Sequence, residues 1–394
     1  MKKRSLVLLS SLLLLTGCSE AKPATSTNES LEPSTEIVTD EDTTDTAGGT
    51  EAIETKNNSI RNDLSSTDTQ VYLTQLRAIA SDDNAIYSPV SLYSALDLYK
   101  FCIKDSDGKS TIYDLLDSRS YLDYQIDNNY KLVNRIWVNK DKNLSMPAEV
   151  SDYVYEISFE DDEKATKEKN DYVAEQTNNF ITSTPSVLNS DVYIDVMNVA
   201  YFKDTWKGEE LNQLGKKKFN GTTNSTDVEF MSCYGDTYFE NNTCIAVPIE
   251  YNNGMKFYAI QPKGELDDVD LTNLFLEEKY ADSVYLEMPE FDAYSEINVN
   301  TLLSNVGAGN ILASQPIYTE DIVDTHILQV AKIKVDHTGT EAAAVTEILN
   351  ETGAMAPAKD FKYVEVILDK PFYYLIEDLN GDVAFIGRVT NFNE

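Results

Sequence analysis

The stretch over residues 338–358 constrains the fold most, because it fits two incompatible backbones. Read locally, it starts a helix: Thr338 and Glu341 have capping-box spacing, and Ala, Glu, Ile and Leu follow. Read as an extended strand, it sends Thr340, Ala342, Ala344, Thr346 and Ile348 one way. Glu341, Ala343, Val345, Glu347 and Leu349 then face the other. The first set is small or apolar, and the second carries the charges. No proline falls between Thr338 and Ala356, so every amide there can join a central ladder. A segment that can be loop, helix or central strand suits a conformational switch.

Four blocks, in order, carry a family resemblance. Gly339-Thr340-Glu341-Ala342-Ala343-Ala344, running on into Val345 and Thr346, resembles the hinge of the reactive-centre loop of serpins. Ser88-Pro89-Val90-Ser91 resembles the family's helix B start, and Asn198-Val199-Ala200-Tyr201-Phe202-Lys203-Asp204-Thr205-Trp206 its strand 3A signature. Lys370-Pro371-Phe372 with Gly387-Arg388-Val389-Thr390-Asn391 resembles its C-terminal signature. The resemblance covers nearly all of residues 59–394, the size of one large domain. It implies an α+β serpin fold: three β-sheets, about eight helices and an exposed reactive-centre loop over about 338–359. Residues 105–130 are too short for the family's helix D with its connections, so that region is expected to be shortened.

The pattern along the chain agrees. Residues 71–76 have helical spacing, 85–87 form a short strand, and Ser88-Pro89 opens a helix. Residues 132–138 read as a buried strand, 163–181 as an amphipathic helix, and 192–202 as a central strand. Strands follow over 228–231, 237–239, 244–249 and 256–261, the last after an Asn252-Asn253-Gly254 turn. Residues 286–291 resemble a further family strand, and 327–335 should lead directly into the hinge.

By resemblance, Ser88, Ser91 and Asn198 lie beneath the point where the main sheet parts, and Trp206 lies at its top. Read alone, Ser88 is an N-cap before a proline, and Trp206 is core packing. Where many serpins carry a histidine beneath the opening, this register places Gln329. Glutamine donates and accepts but does not titrate, which argues against a pH-linked opening.

The implied activity is suicide inhibition of a serine or cysteine endopeptidase. The loop is bait; after cleavage its hinge side inserts as a new strand of the main sheet, trapping the acyl-enzyme. Counting a loop of common serpin length from Gly339 places the bait bond at Gly353-Ala354, with Met355 adjacent. These small and thioether side chains suit elastase-like or subtilisin-like targets. A bond after Lys359 would imply a trypsin-like target, but would draw Pro357 into the inserted strand. The resemblance implies a monomer that needs no cofactor. Two non-inhibitory readings stay open. A binding or storage module predicts charges or prolines at inward hinge positions, which this hinge lacks; a surface adhesin or scaffold predicts no covalent complex with any protease.

At the N-terminus, Lys2-Lys3-Arg4 precedes an apolar run over residues 5–15, too short to span a bilayer. It ends in Leu15-Thr16-Gly17-Cys18, which resembles a bacterial lipobox. A signal peptide over 1–18 and lipid on Cys18 would place the protein in a bacterial cell envelope, facing outward. Residues 19–58 are rich in Thr, Ser and Glu, without aromatics, and read as a disordered tether.

The chain carries a net charge of −35, with no basic stripe, which argues against a nucleic-acid partner or a polyanionic cofactor. With two histidines, His326 and His337, and no Gly-x-Ser-x-Gly elbow, no catalytic constellation is present. His337 is expected to be an exposed strand end. Asp105-Ser106-Asp107-Gly108 lacks the spacing of a calcium loop, and Asp378-Leu379-Asn380-Gly381-Asp382 reads as a turn. Of the four cysteines, Cys233 and Cys244 could pair across a hairpin whose register the sequence leaves open, while Cys102 has no assigned partner.

Overall fold

The computed structural model describes residues 68–79, 84–104, 106–117, 119–122, 129–305, 307–319, 327–340 and 360–392. The chain divides into two units, Met1–Asn58 and Ser59–Glu394, and every described residue belongs to the second. In chain order the first half gives α1 (Asp68–Ile79), β1 (Ala85–Tyr87), α2 (Pro89–Tyr99), α3 (Ser106–Leu115), β2 (Tyr130–Asn139) and β3 (Val154–Ile157). Then come α4 (Asp162–Gln176), β4 (Ile194–Phe202), β5 (Asp204–Thr205), β6 (Asn212–Asn220) and β7 (Ser225–Glu240). The second half gives β8 (Cys244–Glu250), β9 (Lys256–Pro262), β10 (Lys279–Pro289), β11 (Phe291–Asn298) and α5 (Val299–Asn305). It closes with β12 (Leu328–Asp336), β13 (Gly339–Thr340), β14 (Tyr363–Ile367), β15 (Phe372–Glu377) and β16 (Val383–Val389).

Strands and helices share one α+β body. The expected sheets join into two hydrogen-bonded networks, because β7 runs 16 residues and serves two of them. One network runs β1-β16-β15-β9-β8-β7-β10-β14, with β6 beside β7. The other, of seven strands, runs β3-β2-β4-β12-β13-β5, with β11 beside β12. Between residues 105 and 130 the described residues hold a single helix, α3.

Local chemistry sets the elements around the seven-stranded sheet. Ser88 is the N-cap of α2: its Oγ accepts the Ser91 N–H at 3.2 Å, and Pro89 supplies a preset first turn. Nearly all of α2 is buried, so it lies beneath the sheet and not on the surface. On the other face, Asp161 caps α4 by accepting the Lys164 N–H at 3.1 Å, with Asp162 and Glu163 in the first turn. Helix α4 presses Ala165 and Val173 onto Val133, Trp137, Val199 and Val330 of the sheet. It ends at Gln176, short of the expected 181. Thr177 Oγ1 donates to the Val173 carbonyl and accepts the Ile181 N–H, and Asn178 and Asn179 turn left-handed, with φ of 53° and 64°.

Three further expectations change. The helix start at Thr338 is overturned over the described residues, since Gly339–Thr340 is extended. His337 is half-buried with its ring Nδ1 2.7 Å from Glu290 Oε1, because the strand end is covered by the residue before β11. Cys102, Cys233 and Cys244 are free thiols. The β7–β8 hairpin pairs Phe239 with Ala246, which leaves Cys233 far down the strand from Cys244.

Candidate functional site

The site is the seam between β4 and β12, two parallel strands at the centre of the seven-stranded sheet. They pair over only three positions: Asn198 with Gln329, Val199 with Val330 and Ala200 with Ala331. Alternation sends Val199 and Val330 toward α4, so Asn198 and Gln329 point down to α2.

There, the two sides of the seam meet the same helix start. Ser91 Oγ donates to Asn198 Oδ1, Asn198 Nδ2 donates to Asn134 Oδ1 at 2.7 Å, and Asn134 Nδ2 donates to Ser94 Oγ at 2.8 Å. On the other side, the Ser88 N–H donates to Gln329 Oε1 at 3.0 Å, and Gln329 Nε2 donates to the Ser88 carbonyl at 2.9 Å. Ser88 Oγ itself donates to the Ala384 carbonyl at 2.7 Å. Ser88 thus acts as N-cap and as anchor. All of Ser88, Ser91, Asn198 and Gln329 are buried, so breaking any one link strands a polar group.

Above Ala200 the strands part, and β13 fills the head of the gap. Asp336 turns the chain by accepting the Thr338 N–H at 2.9 Å and its hydroxyl at 2.6 Å. The hairpin then pairs Val335 with Thr340 and Asp336 with Gly339, while β13 also pairs antiparallel with Asp204 and Thr205 of β5. Gly339 is required here. Its φ is +153°, and a Cβ would sit 2.2 Å from the Asp204 carbonyl oxygen and 2.6 Å from Thr205 Cα.

Thr340 points inward and is wholly buried, its hydroxyl 2.6 Å from the Tyr251 hydroxyl. Burial pushes the Tyr251 phenol well up, so it stays neutral. Tyr251 stacks on Trp206 with ring centroids 4.6 Å apart. Trp206 in turn holds the hairpin twice: its indole N–H donates to the Asp336 carbonyl at 3.0 Å, and its backbone N–H to the Thr338 carbonyl at 3.2 Å. The tryptophan therefore packs and tethers at once.

The connection after α4 crosses the upper seam. Asn178 Nδ2 donates to the Tyr201 hydroxyl at 3.3 Å on the β4 side. Lys332 Nζ, from β12, donates to the Phe180 carbonyl at 3.0 Å and lies 4.5 Å from the Phe180 ring centre. The buried Lys169 of α4 reaches Asp195 at the start of β4, 2.9 Å away.

Glu341, Ala342, Ala343, Ala344, Val345 and Thr346, the bait candidates Gly353, Ala354, Met355 and Lys359, and the lipid candidate Cys18 lie outside the described residues. Sequence reasoning missed Tyr251 and Asp336, and placed Asp204 in a strand signature without a role of its own, though all three seat the hinge; it also missed the edge strand β6, whose Lys216-Lys217-Lys218 run hides any alternation. For Tyr251 a signal existed: it immediately precedes the Asn252-Asn253-Gly254 turn, which carries it to the head of the seam. Among the described residues, no group of metal-ligating side chains occurs, and no helix is long and apolar enough to cross a membrane.

The family model described as serpin (serine protease inhibitor) matches residues 67–392. A serine protease inhibitor of Mus musculus is 25% identical over 354 residues, covering 79% of this chain and 79% of its own length. Serpin A3-6 of Bos taurus is 27% identical over 264 residues, covering 62% of each. Among solved structures, the native state of the thermophilic serpin tengpin superposes with a TM-score of 0.70 at 20% identity, covering 84% of this chain and 94% of tengpin. Thyroxine-binding globulin in complex with thyroxine superposes with a TM-score of 0.66 at 18% identity, covering 84% and 100%. At these identities the structural likeness is one of fold.

Proposed function

We propose that this chain, which belongs to the serpin family, is a suicide inhibitor of serine endopeptidases with elastase-like or subtilisin-like specificity. The observation that carries the reading is the seated hinge: Gly339–Thr340 occupies the head of a seam whose lower part is closed. A strand that has begun to enter a sheet, with a buried, short and uncharged Thr340 leading, is placed to continue.

The protease nucleophile attacks the carbonyl of the bait residue, and the peptide C-terminal to it leaves as the amine. The hinge side, still esterified to the enzyme, continues from Thr340 with Ala342, Ala344 and Thr346 facing inward. Insertion opens the Asn198–Gln329 ladder and replaces it with two new ladders, one on each edge of the entering strand. Each new bond contributes about 1 kcal/mol, so a strand of eight residues or so gains on the order of 10 kcal/mol. The intact fold thus occupies a local minimum and is kept from the deeper, inserted one by a barrier. The ester survives when the dragged enzyme's active site is deformed before water attacks.

We further infer that Cys18 is lipidated, holding the inhibitor on a bacterial cell surface through residues 19–58. Metabolic labelling with a fatty acid, lost in Cys18→Ser, tests this.

Mixing the protein with pancreatic elastase and with subtilisin tests the inhibitory reading. A band at the summed mass on denaturing gels is expected, and the released peptide locates the bait bond among Gly353, Ala354, Met355 and Lys359. Clean cleavage without a complex from either enzyme would favour the non-inhibitory binding module.

A further inference from the structure

The links of the lower seam are made by serine, asparagine and glutamine, but the turn that leads into the hinge is held by a histidine and a glutamate. His337 follows β12 directly and stands two residues before Gly339. Its backbone N–H donates to Glu290 Oε1 at 3.2 Å, its ring Nδ1 lies 2.7 Å from the same oxygen, and its carbonyl accepts the Leu211 N–H at 2.7 Å. Glu290 is fixed in turn. It is the single residue between β10 and β11, and its N–H donates to the Glu229 carbonyl of β7 at 2.8 Å. It therefore stands where the two strand networks meet, since β10 belongs to one and β11 to the other. The pair fastens the last turn before the hinge to that corner.

Among the described residues, His337 is the one basic side chain bonded to Glu290. Further carboxylates lie on the elements that meet there. Asp336 of β12 accepts the Thr338 N–H and hydroxyl and lies 3.4 Å from Lys334, while Asp204 of β5 accepts the Thr205 and Asn253 N–H groups. Asp292 of β11 stands opposite Lys334 in register, Glu229 of β7 stands opposite Lys216, and Glu209 and Glu210 precede Leu211. The imidazole thus sits in an acidic neighbourhood with one carboxylate as its own partner. The His337 and Glu290 side chains are 22% and 27% exposed, so water weakens the pair without dissolving it.

We propose that His337 is a positioning residue for hinge insertion, and that its bond to Glu290 makes the seating of Gly339–Thr340 sensitive to pH. The inference rests on the inhibitory reading and adds what keeps the entering strand in register. Imidazole is the side chain that ordinarily gains its charge between about pH 5 and pH 8. As imidazolium it meets the Glu290 carboxylate in a charge-assisted bond, roughly twice as strong as a neutral one. The clasp is complete on the acid side of that window. It loses its charge as pH rises through the window, and keeps at most a neutral hydrogen bond. After cleavage the esterified hinge either inserts or loses the enzyme to hydrolysis, so the stoichiometry of inhibition reads how promptly Thr340 leads the strand in. A seated Thr340 enters in register, whereas a loosened one must first be recaptured at the head of the seam.

The test measures two quantities at pH 5.5 and pH 8: the stoichiometry of inhibition with elastase and subtilisin, and, without any protease, amide exchange at Gly339 and Thr340 divided by the intrinsic rate. Comparing variants at one pH cancels the enzymes' own pH dependence. In the unaltered protein the stoichiometry should rise about threefold and the normalised exchange about fivefold from pH 5.5 to pH 8. His337→Gln keeps a donor without a charge and should give the pH 8 values at both. His337→Lys is charged throughout and should give the pH 5.5 values at both, a rescue that packing alone would not produce. Asp378→Asn should leave both profiles as they are in the unaltered protein. Flat profiles in the unaltered protein, or a slope that survives in His337→Gln, would overturn the proposal while leaving the inhibitory reading standing. Exchange that follows pH beside a stoichiometry that does not would overturn the positioning role. If no covalent complex forms with either enzyme, the inhibitory reading fails and exchange alone decides the clasp: a slope lost in His337→Gln supports it, and a slope retained overturns it.

Discussion

The upper and lower halves of one seam are held by different means. The lower half is a short parallel ladder, Asn198–Ala200 on Gln329–Ala331, whose side chains bond downward to the start of α2. The upper half has no direct β4–β12 pairing; it is headed by a two-residue strand that only a glycine could place against β5. The lower contact resists opening, because its polar groups are buried and mutually satisfied. The upper one marks where a new strand enters. A sheet built this way stores its transition at one end and its barrier at the other.

The largest effect is expected at the upper end. Thr340→Arg puts a charge where the hydroxyl is wholly buried against Tyr251, at a cost of several kcal/mol. Insertion should slow enough that the protein becomes a substrate, and titration against elastase should show the stoichiometry of inhibition rising several-fold. An unchanged stoichiometry would mean that Thr340 does not lead the inserting strand.

At the lower end, Asn198→Ala strips Ser91 and Asn134 of a buried partner. We expect about 2–3 kcal/mol lower stability in urea unfolding. Amide exchange at Val199 and Val330 should quicken with it, while the pairing of Gly339 with Thr205 persists.

Tyr251→Phe sharpens the contrast from above. It removes one hydroxyl contact and keeps the stack on Trp206, so about 1 kcal/mol should be lost locally. Amide exchange at Thr340 should rise about fivefold, with Val199 and Val330 unaffected.

Much of this is legible in the sequence, and the pattern of what is not is physical. Ser88, Ser91, Asn198, Gln329 and Trp206 lie in contiguous stretches with strong local signals: a serine before proline, a long apolar strand, a tryptophan at its end. The structure gathers them on the two sides and the head of one seam. Tyr251, Asp204 and Asp336 come from three segments distant in sequence, and only the closed sheet brings them to Gly339 and Thr340. Apolar spacing overshoots the end of α4 because Thr177 stops the helix with a side-chain cap, which that spacing does not encode. The Cys233–Cys244 pairing depends on hairpin register, which a long continuous β7 fixes at distance.

The remaining effects concern pH. The links across the lower seam run through Ser88, Ser91, Asn134, Asn198 and Gln329, whose side chains carry no titratable group, so its opening should not respond to pH near neutrality. Gln329→His would change that. A buried imidazole has its folded pKa lowered, so the unfolded chain binds more protons below about pH 6.5 and stability falls as pH drops through that range. The unaltered protein has a pH dependence of another origin, in the turn between β15 and β16. Burial, and then the charge of Asp382, push the Asp378 carboxyl up to about 7. The folded state therefore binds more protons than the unfolded chain from about pH 4 to about 7, and stability falls as pH rises through that window. Asp378→Asn should flatten this slope, because Asn keeps an oxygen for the Asn380 and Asp382 N–H groups. Melting curves at pH 5 and pH 8 check both variants.

The central claim is that the seam opens to admit the hinge once the bait is cut. Thermal unfolding before and after a single cleavage within residues 341–359 tests it most directly. Insertion predicts a melting temperature raised by on the order of 20 °C in the cleaved protein. A cleaved protein that melts at or below the temperature of the intact one would contradict the account.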